Sequence, residues 1–135
     1  MYQIEGRLTA RPPFDFDKSL EFLGHFRPAM GQQVIHDKVL TKAASLDGQV
    51  FVYRVYSIGT LDQPQLTYEV FCAEEITDAF HATVRDNLSF FLSLDDDLLP
   101  FYEVGETDPH FAPVIKELYG YHQVKFSMSA FENAD

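Results

Sequence analysis

Three consecutive carboxylates, Asp95-Asp96-Asp97, are the most conspicuous reactive group in this 135-residue chain. Carboxylate oxygens suit hard cations such as magnesium and calcium. Successive residues of a helix point in different directions, so three in a row do not converge on one ion. The calcium-loop pattern of alternate acids, a glycine and a distal glutamate is absent. The run fits a helix N-terminus instead, where carboxylates accept from free amides and oppose the dipole. The five histidines, His25, His36, His81, His110 and His122, are scattered, and neither His-x-x-x-His nor Cys-x-x-Cys occurs, which argues against zinc. Cys72 is the only cysteine. It lies on the apolar side of a strand pattern and reads as a small core residue, not a nucleophile. Glu74 with Glu75, or Asp95 with Glu103, have no spacing that separates an acid–base pair from solvated surface carboxylates. A glycine-rich phosphate loop and a Gly-x-Ser-x-Gly elbow are both missing. The thirteen Phe and seven Tyr would suit a stacking platform for single strands. Most of them recur with core periodicity, and the interleaved basic residues are lacking. The residues therefore assign no catalytic, cofactor or metal site.

Charge narrows the partners. Residues 1–60 carry seven basic and six acidic side chains, a net of +1, whereas residues 61–135 carry three and fifteen, a net of −12. Such a surface repels phosphate backbones, so this chain alone is expected to bind DNA or RNA poorly. With 46% apolar residues it has enough material for a core. No apolar run approaches the ~18 residues of a membrane span, so no membrane association is expected. The N-terminus lacks the layout of a secretory signal. One cysteine allows no internal disulfide, and the expected compartment is the reducing cytoplasm.

The elements that must position these side chains follow from periodicity. Tyr2, Ile4, Gly6, Leu8 and Ala10 alternate with polar residues, which predicts a strand that Arg11-Pro12-Pro13 ends. Phe16, Leu20 and Leu23 predict a short helix capped by Asp15 or Asp17 and closed by Gly24 and Pro28. Three antiparallel strands are expected over 32–74: about 33–43, then 49–58 after an Asp47-Gly48 turn, then 65–73. The second places Val50, Val52, Tyr56 and Ile58 on one side, and the third aligns Leu66, Tyr68, Val70 and Cys72. Ile76, Phe80, Val84, Leu88 and Phe91 step by four, four, four and three, an amphipathic helix of about five turns. A short helix over 98–104 is expected next. Asp108-Pro109 then predicts a helix restart with the stripe Phe111, Val114, Ile115 and Leu118, stopped at Gly120. Ser129 and Glu132 have capping-box spacing. That ending reads either as the first turn of a further helix in a longer polypeptide or as an ordinary terminus.

Three stretches in this order resemble the N-terminal domain of helix-hairpin-helix DNA glycosylases of the 3-methyladenine DNA glycosylase II type. They are Arg11-Pro12-Pro13-Phe14-Asp15-Phe16 with Ser19-Leu20-Glu21-Phe22-Leu23; Phe91-Leu92-Ser93-Leu94-Asp95-Asp96-Asp97-Leu98 through Phe101-Tyr102 to Asp108-Pro109; and Gly120 to Phe131-Glu132. One departure stands out: relatives often carry an arginine just before the Leu-Asp motif, where this chain has Phe90 and Phe91. The resemblance implies an α+β fold, an antiparallel sheet of four to five strands with packed helices, like the TATA-binding protein, plus C-terminal helices. It implies a sheet-and-helix domain over 1–94 and a helical segment over 95–135 leading into an absent catalytic domain. The family's chemistry lies in that absent domain, whose hairpin grips the DNA backbone and whose aspartate assists departure of a flipped, damaged base. No residue here matches either feature.

Several expectations follow. The chain alone is inactive and needs no cofactor. Duplex DNA is met only through the missing domain. Leu98, Leu99, Phe101, Phe111, Val114, Ile115 and Leu118 form the interface with that domain, and their exposure makes the isolated chain a homo-oligomer. The alternative is a free-standing acidic module that binds a protein partner through the same stripe.

Overall fold

The computed structural model describes residues 1–25 and 33–124. Period-two alternation builds an antiparallel sheet of five strands. These are β1 (Tyr2–Thr9), β2 (Gln33–His36), β3 (Val39–Leu46), β4 (Gln49–Ser57) and β5 (Gln65–Cys72). Their order is β1-β5-β4-β3-β2, so the first strand adds beside the last. The helices are α1 (Phe16–His25), α2 (Asp78–Phe91), α3 (Leu99–Thr107) and α4 (Ala112–Glu117). The α+β expectation holds.

One face of the sheet carries Leu8, Leu40, Leu46, Phe51, Tyr53, Val55, Leu66, Tyr68, Val70 and Cys72, all buried. They form one core with Phe16, Leu20 and Leu23 of α1 and Phe80, Val84, Leu88 and Phe91 of α2. Phe51 and Phe80 meet edge to face at 5.5 Å. Each such side chain contributes about 1.5–3 kcal/mol by leaving water. Thr77 starts α2 by accepting the Phe80 amide at 3.1 Å. The Asp15 carboxylate accepts the Asp17 amide at 3.1 Å at the start of α1. No helix among the described residues is long and apolar enough to cross a membrane.

The structure differs from the sequence expectation at three places. The single strand expected over 33–43 is a hairpin, β2 and β3, turning at Asp37 and Lys38, which adopt φ of 52° and 64°. Lysine in a left-handed turn is no turn signal, so the break is hidden in the sequence. On β4 the side bearing Val50, Val52, Tyr56 and Ile58 is the open one, and Phe51, Tyr53 and Val55 face the core. The third difference is the last helix, which starts at Ala112 with Pro113 in its first turn, not at Pro109. Asp108 instead ends α3, and its carboxylate accepts the His110 amide at 3.0 Å. The Asp47-Gly48 turn, with φ of 52° and 77°, is as expected. The Ser129–Glu132 cap lies outside the described residues.

A part-buried polar knot ties β1, β5 and α2 together. Arg85 Nη1 donates to Tyr68 Oη at 2.6 Å, and His81 Nε2 stands 2.6 Å from the same oxygen. The phenol lies over Gly6, where a β-carbon would be 2.6 Å from Tyr68 Cζ. Glycine at this point of β1 is what lets the ring cross the strand.

Candidate functional site: a helical face on a polar clasp

The segment after α4 is held against α1 by polar contacts that bridge distant parts of the chain. Gly120 adopts φ of 82°, which favours glycine. Its carbonyl accepts the Asp15 amide at 2.7 Å, and its amide donates to Tyr102 Oη at 2.9 Å. A β-carbon there would come within 2.7 Å of Leu61 Cδ2. Lys18 Nζ donates to the Glu117 carbonyl at 2.8 Å and the Tyr119 carbonyl at 2.6 Å. A cation there satisfies the free carbonyls and the negative dipole end of α4. Ser19 Oγ donates to the His122 carbonyl at 3.2 Å.

His122 is the centre of this clasp and is wholly buried. Its Nδ1 faces the Ser93 carbonyl at 2.6 Å and its Nε2 faces the Pro13 carbonyl at 2.8 Å. The edge of Phe14 packs on the ring at 4.8 Å. Ser93 Oγ also donates to the Gln123 carbonyl, and the Arg11 amide donates to the Leu94 carbonyl at 2.7 Å. Three segments that are remote in sequence thus close on one imidazole: the loop before α1, the turn after α2 and the chain after α4.

Above the clasp, α3 and α4 present apolar side chains to solvent. Leu99 is 57% exposed and Phe111 51%. Phe101, Val114 and Leu118 are also exposed, and Leu98 is half-buried. Ile115 alone of the predicted stripe turns inward, at 8%. Val104 and Tyr119 belong with the exposed group, although the stripe at helical spacing did not include them. The Tyr102 ring packs on Tyr119 at 5.1 Å and on Phe101 at 5.9 Å, so aromatic contacts link α3 to the end of α4. Burial raises the Tyr102 phenol above its usual range, against the lowering effect of the Gly120 amide, and Tyr119 adds to the rise.

The polar candidates lie in several parts of the fold. Asp97 accepts the Leu99 amide at 3.1 Å just before α3, whose N-cap position is Leu98 and carries no side-chain cap. Asp95 and Asp96, with Asp86, Ser89, Phe90 and Ser93, line a cleft of about 300 Å³. Among the described residues no group of three or more His, Cys, Asp or Glu side chains is arranged to hold a metal ion. His36 pairs with Asp37 in a hairpin turn, His81 sits on α2, His110 precedes α4 and His122 lies in the clasp. Cys72 is buried, and Gln49 Nε2 donates to its sulfur at 2.9 Å.

No family profile matches the chain, and no curated protein matches it by sequence. Among solved structures, it is similar to a 3-methyladenine DNA-glycosylase from Archaeoglobus fulgidus, with a TM-score of 0.70 at 20% identity. The likeness covers 94% of this chain and 41% of that one, so the chain spans well under half the length of the glycosylase. The fold is therefore one found within a DNA glycosylase.

Proposed function

We propose that this chain is the non-catalytic N-terminal domain of a 3-methyladenine-type DNA glycosylase that acts in base-excision repair of alkylated DNA. The observation that carries the reading is the match of 94% of this chain to 41% of a glycosylase. In this reading residues 1–94 form the sheet-and-helix unit, and residues 95–135 lead into the catalytic domain. Duplex DNA is engaged through that domain, in the cytoplasm. Leu98, Leu99, Phe101, Phe111, Val114 and Leu118 pack against it, while Ile115 pins α4 to its own domain. Uncovered, the same face pairs with a second copy. The test is base release from duplex DNA containing 3-methyladenine. The 135-residue chain is expected to release none, and release by this chain alone would overturn the reading.

A second reading, a free-standing acidic module that binds a protein partner, is favoured by the net charge of −12 on residues 61–135, which include the exposed face. It predicts capture of a basic protein by this face in the absence of any catalytic domain.

A further inference from the structure

The strand β1 forms one edge of the sheet, and among the described residues it pairs with β5 alone. The outward backbone groups of its eight residues therefore have no strand partner there. On the open face of the sheet a row of charges stops short at this edge. Arg54 on β4 lies opposite Glu69 on β5, which lies opposite Glu5 on β1. Arg54 Nη2 donates to Glu69 Oε2 at 3.1 Å, and Gln3 Nε2 donates to the same oxygen at 3.5 Å. Glu5 comes next, exposed, and makes no ion pair among the described residues. Carboxylates directly opposite each other repel, so a row that reads plus, minus, minus has a place for a cation beyond Glu5. Arg7 stands two residues along on the same face, opposite Thr67. It too is exposed and makes no ion pair among the described residues.

We infer that β1 is a pairing edge whose partner is β1 of a second copy, antiparallel to it, with Gly6 opposite Gly6. In this register each Glu5 lies opposite Arg7 of the other copy. The row then reads plus, minus, minus, plus on both sides of a two-fold axis. On the core face Ile4 lies opposite Leu8, and the two sheets run on as one. A slip of two residues either way sets Glu5 against Glu5 or Arg7 against Arg7. A slip of one turns the core face of one copy towards the open face of the other. The charges that blunt this edge against other registers therefore select this one. Charge also favours a second copy along this strand: the chain carries −11 overall, whereas β1, with one acid and one base, is neutral and self-complementary. A pair of such strands, about 27 Å long, buries less than the ~1,200 Å² of a stable interface, so the pairing is weak and needs high local concentration. The α3–α4 face contains no residue of β1, and the two surfaces act independently.

The test is sedimentation equilibrium at low ionic strength on the 135-residue chain carrying Phe111→Ser and Val114→Ser, so that the α3–α4 face contributes no pairing. This parent is expected to be a monomer at micromolar concentration and to form dimer at about 0.5 mM. Glu5→Arg or Arg7→Glu, each added alone, sets like charges opposite each other at both symmetry-related places and is expected to weaken pairing about tenfold or more. Glu5→Arg with Arg7→Glu in one chain restores the pairing. Mixing the two single variants also restores it, because their edges are then complementary. An unfolded variant does not pair on mixing, so this rescue separates loss of the contact from loss of the fold. The inference is overturned if the parent stays monomeric at about 0.5 mM, if both single variants pair as well as the parent, or if mixing them gives no more dimer than either alone.

Discussion

Replacing His122 with alanine tests the clasp on which the α3–α4 face rests. The ring is fully buried, and both nitrogens face backbone carbonyls, Ser93 at 2.6 Å and Pro13 at 2.8 Å. Truncation leaves at least one buried carbonyl without a donor, at about 1–3 kcal/mol. It also removes a ring packed against Phe14 at 4.8 Å, and the resulting cavity adds about 2 kcal/mol. Together these predict a loss of about 3–5 kcal/mol, a large part of the ~5–15 kcal/mol that stabilises a domain. Urea unfolding at fixed pH reads that loss directly. Hydrogen exchange then shows where it acts. The Asp15 and Gly120 amides, which bridge α1, α3 and the segment after α4, are expected to lose protection before the amides of β4 and β5. His36→Ala, at an exposed turn, is the control and is expected to change stability by less than about 0.5 kcal/mol. A loss below about 1 kcal/mol for His122→Ala, with unchanged exchange at Asp15 and Gly120, would refute the reasoning.

Three further outcomes follow from particular contacts. Gly6→Ala drives a β-carbon into the Tyr68 phenol and is expected to cost about 1–3 kcal/mol in urea unfolding; Tyr68→Phe in the same chain should recover part of that loss. Burial lowers the folded-state pKa of Lys42 below its ordinary 10.5, so the folded state sheds this proton before the unfolded state does. The burial penalty is thus fully present below the lowered value and relieved as pH rises from there towards 10.5, which makes stability rise with pH in that window. Melting temperatures of the wild type and Lys42→Met, compared from pH 7 to 9.5, should show that rise only in the wild type. For the exposed helical face, light scattering of the isolated chain is expected to find a dimer at micromolar concentration. Phe111→Ser with Val114→Ser should give a monomer while changing stability by less than about 1 kcal/mol, because both side chains are half exposed.

The parts of the fold that were legible in the sequence are those where one pattern has one meaning. On β5, Leu66, Tyr68, Val70 and Cys72 alternate with polar or less buried residues, and they are the buried face. On α2, steps of four and three carry Phe80, Val84, Leu88 and Phe91 into the core. Where both faces of a strand are apolar the rule fails. On β4, Val50 and Val52 compete with Phe51, Tyr53 and Val55, and hydrophobicity alone does not choose between them. Aromatic size on the inner set was the signal to use, since large rings gain most from burial. The Asp37-Lys38 turn was hidden because Lys38, where Asp47-Gly48 has its glycine, is no turn former, although it adopts φ of 64°. At Asp108-Pro109 the capping signature was real but local: it made a turn, and α4 began one turn later. Of the apolar stripe expected on α3 and α4, Leu99, Phe101, Phe111, Val114 and Leu118 stand exposed, Leu98 is half-buried and Ile115 turns inward. The clasp was not readable at all, because His122 meets partners 29 and 109 residues away, and no local spacing encodes such a meeting.

The most direct measurement of the central claim is to read the coding sequence beyond codon 135. The account predicts an open frame that encodes a helix-hairpin-helix with a Leu-Pro-Gly type hairpin, followed by an aspartate. A stop codon directly after Asp135 would contradict it and leave the acidic binding module as the surviving reading.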